Sequence, residues 1–327
     1  MDIMIRGFAF AVAALCAVTM GFAIQRGATC TVAAVDEVVH GGGVSRLVAL
    51  VEASAWVAGG LLIAREIGWL AQAPSGYVVN LWTVAGSLLL GLGAFVNRAC
   101  VFGAIARFGS GEWAYIATPL GFYLGCLAEA RLIAPPAPQS LDAGSVVLAA
   151  PSFVAWLVVA LFAWRLAIPL IRHRNVMREL MTRHLWSPHA STTVIGVTFL
   201  STMLLVGAWS YTDALAELAR GMAHSVPAQA LLLVCLLAGT LVGGWTAGCF
   251  RHTRIRAASV LRCLAGGMLM GCGSLLIPGG NDGLILVGMP LLWPYAWVAF
   301  ATMCIVIGVA SVVQRRFTIG APPGSTI

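Results

Sequence analysis

The chain contains no lysine, and charged residues make up only 9% of its 327 residues. Soluble domains carry about 25% charged residues, so this composition excludes a soluble protein. Long polar segments are lacking as well, which leaves no room for a separate soluble domain. What remains is 60% hydrophobic, with a mean hydropathy of +0.93. The sequence therefore predicts an all-α integral membrane protein.

The nine cysteines include no CxxC pair, and nearly all of them lie within or beside apolar segments. This pattern argues against a disulfide scaffold and against a zinc site. The six histidines fall in loops or at predicted helix ends, which argues against a haem held by opposed histidines of spanning helices. We therefore expect neither a metal nor a cofactor.

The formal net charge of +7 comes wholly from arginine. The arginines are scattered among short loops, as expected where they hold loops on the cytoplasmic side of a membrane. We interpret them in this way and expect no nucleic-acid partner. The lipid bilayer is the expected environment of the protein.

Apolar runs predict about nine membrane-spanning helices, each near the roughly 20 residues that a bilayer requires. Four of the segments that follow them are short, mildly apolar and rich in glycine, which predicts re-entrant helices that line a cavity. The predicted spans are 7–25, 45–64, 79–97, 113–133, 151–170, 192–210, 227–248, 258–277 and 293–314. The predicted re-entrant segments are 26–43, 98–110, 211–225 and 279–290.

The strongest topology signal is the run of five arginines between Arg165 and Arg183, which predicts a cytoplasmic loop. Alternation of the spans then places the N-terminus in the periplasm and the C-terminus in the cytoplasm. Residues 1–150 form a first membrane repeat, 151–191 a linking helix and basic cytoplasmic loop, and 192–327 a second, inverted repeat. Such inverted repeats place the substrate near the midplane, between the two halves.

A helix end followed by glycine-bearing chain recurs in the sequence. The stretch 20–30 ends at Cys30, the stretch 90–100 ends at Cys100 at the matching position, and the stretch 270–280 carries Gly280 there. Neutral thiols are weak hydrogen-bond donors, and a path that conducts needs weak, repeated binding. Cys30 and Cys100 are therefore candidates to line a path for a sulfur-bearing anion. The alternative is that they are buried packing residues beside topogenic arginines.

Other residues near these segments are candidates as well. Arg26 and Arg98 would supply positive potential near the cytoplasmic mouth. Asn281 and the backbone around Gly280 would face the substrate from the outer side, or form an extracellular turn with a helix cap. Cys249 follows a glycine-rich stripe at 239–249, which is typical of close helix packing, and could be a third thiol on the path.

Acidic residues inside membranes are costly and often functional. Glu52 and Glu129 fall within predicted spans. We interpret Glu52 as paired with a neighbouring arginine and Glu129 as lying beside Arg131 near a helix end. Proton coupling through acidic residues is the alternative.

At these residues the chain resembles the YeeE/YedE family of sulfur-compound permeases, which includes bacterial thiosulfate transporters. The resemblance rests on the Arg-x-x-x-Cys segment ending at Cys30, on the 97–109 stretch around Cys100, and on the 266–273 run leading to Asn281. It implies a pseudo-symmetric fold with paired short helices and uptake of thiosulfate or a related sulfur compound across the inner membrane. It also implies that Cys30, Cys100 and Cys249 contact the ion through their S–H groups, in some relatives beside a small soluble sulfur-carrier protein.

The sequence departs from the family pattern at Gly280, where the family usually has a cysteine before the asparagine. The departure leaves room for another sulfur species or for a selenium compound. Two other functions stay open: a membrane-embedded sulfur-transfer protein with a persulfide on Cys30 or Cys100, and a membrane scaffold for a cytosolic partner that binds the 165–183 loop. Transport without an enzymatic step is the expected activity.

Overall fold

The computed structural model describes residues 2–70, 73–129, 131, 138–141, 144–172, 185–221, 226–251 and 253–319. These ranges form helices and no named β-strand, which confirms the predicted all-α class. The helices are α1 (Asp2–Arg26), α2 (Thr31–Asp36), α3 (Ser45–Glu66), α4 (Leu81–Asn97), α5 (Val101–Gly109), α6 (Ala117–Ala128), α7 (Ser152–Arg172), α8 (Pro188–Val206), α9 (Tyr211–Ala219), α10 (Val226–Thr246), α11 (Ala257–Leu276), α12 (Asn281–Gly283) and α13 (Pro294–Ile319).

The nine predicted spans correspond to helices of two lengths. Seven helices among the described residues are long and apolar enough to cross a membrane, and two shorter apolar helices cover Trp113–Ala128 and Ser152–Arg165. The short helices α2, α5, α9 and α12 fall in the four segments predicted to be re-entrant. π-helical turns at Glu37–Gly41 and Leu284–Gly288 prolong α2 and α12.

Helices α1 and α8 pack against each other in opposite directions. A side chain at Gly27, just after α1, would overlap Ser191 at the start of α8, whereas Cys16 interacts with Thr202 near the end of α8. Helices α4 and α11 are antiparallel in the same way, since Gly86 lies against Gly273 and Gly93 against Gly266. These two antiparallel pairs agree with the inverted repeat predicted from the sequence, which stays a prediction.

Two parallel helix pairs show the same symmetry. Helix α1 runs alongside α10, and its counterpart α8 runs alongside α3. A Cβ atom on Gly239 of α10 would overlap the carbonyl oxygen of Val18 on α1. A Cβ atom on Gly196 of α8 would lie 2.9 Å from the carbonyl oxygen of Ala53 on α3. The glycine stripe of α10 is therefore a close-packing surface, as its spacing predicts.

Helix α7 lies outside this symmetry, and a charged side chain ties it to α3. Arg165 of α7 and His189 of α8 both contact the carboxylate of Glu52 on α3, at 3.2 and 2.5 Å. The predicted pairing of Glu52 with an arginine is confirmed. The rest of the basic loop, residues 173–184, lies outside the described residues, and the repeat boundaries at 150 and 191 stay predictions.

Candidate functional site

The short helices begin after turns of one kind. Ala28, Arg98 and Pro278 hold the same position in the three sequence copies, and all three have positive φ angles, of 46°, 59° and 35°. A residue other than glycine is strained in this conformation, so the surrounding fold must hold it there. Two residues later, Cys30, Cys100 and Gly280 occupy the N-cap positions of α2, α5 and α12.

The α4–α5 turn is fixed by Asn97, which is fully buried. Its side-chain amide donates to the carbonyl oxygen of Ala99 at 2.8 Å, and its Oδ1 accepts from the hydroxyl of Thr118 at 3.0 Å. The carbonyl oxygen of Asn97 accepts a third hydrogen bond from the hydroxyl of Tyr115 at 3.3 Å. This network places Cys100 at the start of α5.

The thiols of Cys30 and Cys100 interact directly. Cys100 is fully buried, and its sulfur accepts a hydrogen bond from the backbone N–H of Thr31 at 3.1 Å. A Cβ atom on Gly103 would overlap Cys30 Sγ, so only glycine lets α5 approach that sulfur. The structure therefore brings together the two cysteines that the repeats single out.

Asn281 joins the two halves of the molecule. It is fully buried at the start of α12, and its side-chain amide donates to the hydroxyl of Thr31 on α2 at 3.5 Å. Its Oδ1 has no hydrogen-bond partner among the described residues. Such buried unpaired oxygens are rare, and this one lies beside the cysteines.

The fourth short helix, α9, begins at Ser210, whose hydroxyl accepts from the backbone N–H of Asp213 at 3.1 Å. On α9, both the backbone N–H and the hydroxyl of Thr212 donate to the carboxylate of Asp282, the second residue of α12. Sequence reasoning missed Ser210 as the equivalent of the cysteine positions. The serine–x–x–aspartate pattern of a helix N-terminus was the available signal.

Two cavities lie on either side of these residues. The first, of about 310 Å³, contains Cys30 and is lined by Arg46, Arg98 and Arg107, with Asp36 as its acidic residue; we call it the basic cavity. The second, of about 260 Å³, is lined by Gly280, Thr212 and Tyr295 together with Asp213, Glu217 and Arg220; we call it the acidic cavity.

The two cavities lie at opposite ends of the long helices. Arg46 in the first turn of α3 lines the basic cavity, and Tyr77 in the loop after α3 lines the acidic cavity. Helix α3 has 22 residues, so it spans about 33 Å between them. Among the described residues, the two cavities share no lining residue. They are linked instead by contacts that run from Cys30 through Cys100, Thr31 and Asn281 to Gly280.

Two predicted site residues lie elsewhere. Arg26 is almost fully buried, donates to the hydroxyl of Thr246 at 2.9 Å and stacks over the ring of Phe22, so it ties α1 to α10 and lines neither cavity. Cys249 is half-buried after the end of α10 and also lines neither cavity. Arg98 is exposed in the basic cavity, as its predicted role requires.

Antiparallel packing of α1 with α8 and of α4 with α11, with a cavity toward each end of the long helices, agrees with the architecture of a transporter. The described residues contain no group of three or more metal-binding side chains. A family model described as "Sulphur transport" matches residues 26–310. The chain belongs to this family, the YeeE/YedE family, and is a multi-pass membrane protein of sulfur transport. No curated protein matches the chain.

Proposed function

We propose that the protein imports thiosulfate, or a closely related small sulfur-containing anion, across the bacterial inner membrane. The path runs from the acidic cavity past Gly280, Asn281, Cys100 and Cys30 to the basic cavity. The observation that carries this proposal is the interaction between the buried thiol of Cys100 and the thiol of Cys30, which lines the basic cavity. Cys249 lies off this path.

Arginine placement supports the direction of the path. Arg46, Arg98 and Arg107 line the basic cavity. Arg251 lies next to this cavity, because its backbone N–H donates to the carbonyl oxygen of the lining residue Ser110 at 2.9 Å. An excess of arginine marks the cytoplasmic side, so the basic cavity faces the cytoplasm. A small soluble sulfur-carrier protein would receive the ion on this side.

Thiols suit this role because they bind weakly. A neutral thiol is a poor donor and carries no charge, so it contacts the terminal sulfur of thiosulfate without trapping it. The exposed guanidinium of Arg98 attracts the anion toward the cytoplasmic mouth. No bond to sulfur is made or broken along the path.

The test is uptake of radiolabelled thiosulfate by bacteria that lack their own sulfate and thiosulfate importers. We expect Cys30→Ala and Cys100→Ala each to abolish uptake while the protein stays in the membrane. Cys235→Ala, which removes a half-buried thiol of α10 away from both cavities, is the matched control and keeps wild-type uptake.

Full uptake by the Cys30→Ala/Cys100→Ala double variant would refute the thiol path. A persulfide adduct on either cysteine, detected by mass spectrometry of the intact protein after exposure to thiosulfate, would favour sulfur transfer instead. If the wild type takes up selenium compounds and not thiosulfate, the path stands and the named substrate is wrong.

A further inference from the structure

Gly280 is the N-cap of α12, the position that holds a cysteine in α2 and α5 and a serine in α9. A Cβ atom on Gly280 would overlap Thr212 Oγ1 and lie 2.6 Å from Thr212 Cβ. The side chain of Thr212 thus fills the space that a side chain at position 280 would need.

Thr212 is held rigidly in this place. Its backbone N–H donates to Asp282 Oδ2 at 3.1 Å, and its hydroxyl donates to Asp282 Oδ1. Thr212 Oγ1 also lies 3.3 Å from the hydroxyl of Ser210. Thr212 and Asp282 are both almost fully buried, yet Thr212 and Gly280 contribute to the wall of the acidic cavity.

We propose that Thr212 is a specificity-determining residue, and that Gly280 and Thr212 together replace a third thiol with a hydroxyl. This inference rests on the proposed transport path and deepens it. An entering anion competes with Asp282 for the hydroxyl proton of Thr212, while the backbone N–H of Thr212 keeps Asp282 partnered. Because a hydroxyl is a stronger and more directional donor than a thiol, this contact favours anion oxygens over a terminal sulfur. The substrate class is therefore small sulfur oxyanions, sulfite as well as thiosulfate.

The proposal is tested by placing a cysteine at position 280, first alone and then together with a smaller residue at position 212. Gly280→Cys alone introduces a side chain into the space of Thr212, so we expect uptake to fall about tenfold or more. Gly280→Cys combined with Thr212→Gly removes the whole overlapping side chain, including Thr212 Cβ, and restores a thiol. We expect this double variant to regain thiosulfate uptake and to show a higher ratio of thiosulfate to sulfite uptake than the wild type.

The hydroxyl itself is tested by two substitutions of similar size. Thr212→Val keeps the shape beside Gly280 and removes the hydrogen bond, so we expect a loss of about tenfold or more for both anions. Thr212→Ser keeps the hydroxyl and is expected to stay within about twofold of the wild type in both uptake and selectivity. Thr198→Val is the matched control, because the Thr198 hydroxyl bonds only to carbonyl oxygens of its own helix α8.

The experiment measures uptake of labelled thiosulfate and sulfite by purified variants in liposomes, with the Tm of each variant as a check on folding. The inference is overturned if folded Thr212→Val transports both anions like the wild type, or if the double variant matches Gly280→Cys alone in uptake and selectivity. Those results leave the proposed function intact. If the folded wild type transports neither anion, the proposed function fails as well.

Discussion

At the scale of single residues, the contact between Cys30 and Cys100 depends on a backbone conformation that cannot be predicted from the sequence. The spacing of the repeats predicts that the two cysteines occupy equivalent positions. It does not predict the left-handed turns at Ala28 and Arg98, since neither residue favours that conformation. The turns are imposed by contacts such as the Asn97 network, between residues that are distant in the sequence.

The two arginines predicted to shape the potential should behave differently when neutralised. Among the described residues, Arg98 has no acidic partner within 4 Å in the basic cavity, whereas Arg26 is buried against Phe22 and Thr246. We expect Arg98→Gln to lower thiosulfate uptake several-fold at low salt, and less at high salt where charges are screened. We expect Arg26→Gln to lower Tm and the amount of protein in the membrane.

Initial uptake rates per molecule of protein, measured across a series of salt concentrations, separate these two effects. Arg315→Gln, a substitution in the last turns of α13 outside both cavities, serves as the control. A salt-dependent loss of uptake in folded Arg26→Gln would show that this residue acts on the ion after all.

The sequence does not predict the positions of residues that depend on tertiary contacts. Thr31, Thr212 and Asp282 carry no motif, and each acquires its position from a helix in another part of the chain. Glu129 shows the same limit, because the sequence does not predict that the charge of the distant Arg220 acts on its carboxyl group.

At the scale of helices, hydropathy predicted the positions of the spans well and their lengths less well. An apolar run is a local property, so among the described residues the seven long helices and the two shorter apolar ones fall where the runs indicate. Helix α6 ends its α-helical part at Ala128, before the predicted end at 133, and a 3-10 turn at Trp113–Ile116 precedes it. Composition alone cannot locate such a change of helix type.

Close packing of α1 against α10 gives a prediction at this scale. A Cβ atom on Gly239 would overlap the Val18 carbonyl oxygen and lie 2.7 Å from its carbon, and backbone cannot move aside as a side chain can. We expect Gly239→Ala to destabilise the protein by about 1–3 kcal/mol and to lower its Tm. Thermal unfolding of the detergent-solubilised protein checks this.

Gly7→Ala on α1 is the matched control, because a Cβ atom there would have no neighbour within 4 Å. It should leave Tm unchanged or raise it slightly, since alanine favours helix. Equal Tm values for the two variants would mean that α1 and α10 do not approach each other as closely as the structure has them.

At the scale of the whole molecule, arginine is distributed unevenly between the two ends. The arginines of the basic cavity lie at one end of the bundle. Arg165 lies at the same end, since it contacts Glu52, which also contacts His189 at the start of α8. Arg65 and Arg220 lie at the opposite end. Arginine counts predict an inverted repeat because topology depends on charge bias rather than on tertiary contacts.

We therefore expect the N-terminus to lie in the periplasm and the C-terminus in the cytoplasm. Green fluorescent protein fused to the C-terminus should fluoresce, and alkaline phosphatase fused there should be inactive. The reverse pair of results would invert the orientation and place the acidic cavity in the cytoplasm.

The closed segment between the cavities also determines where the membrane voltage falls. Because a cavity that fills with water conducts ions, we expect most of the electric field to drop across the stretch from Cys30 to Gly280. Moving one charge through that field costs about 2.3 kcal/mol per 100 mV, so an inward-moving dianion meets about 4.6 kcal/mol at that voltage. This opposes its accumulation by roughly 10³-fold. Under the proposed import of thiosulfate, net entry would require its consumption inside the cell or cations that travel with it.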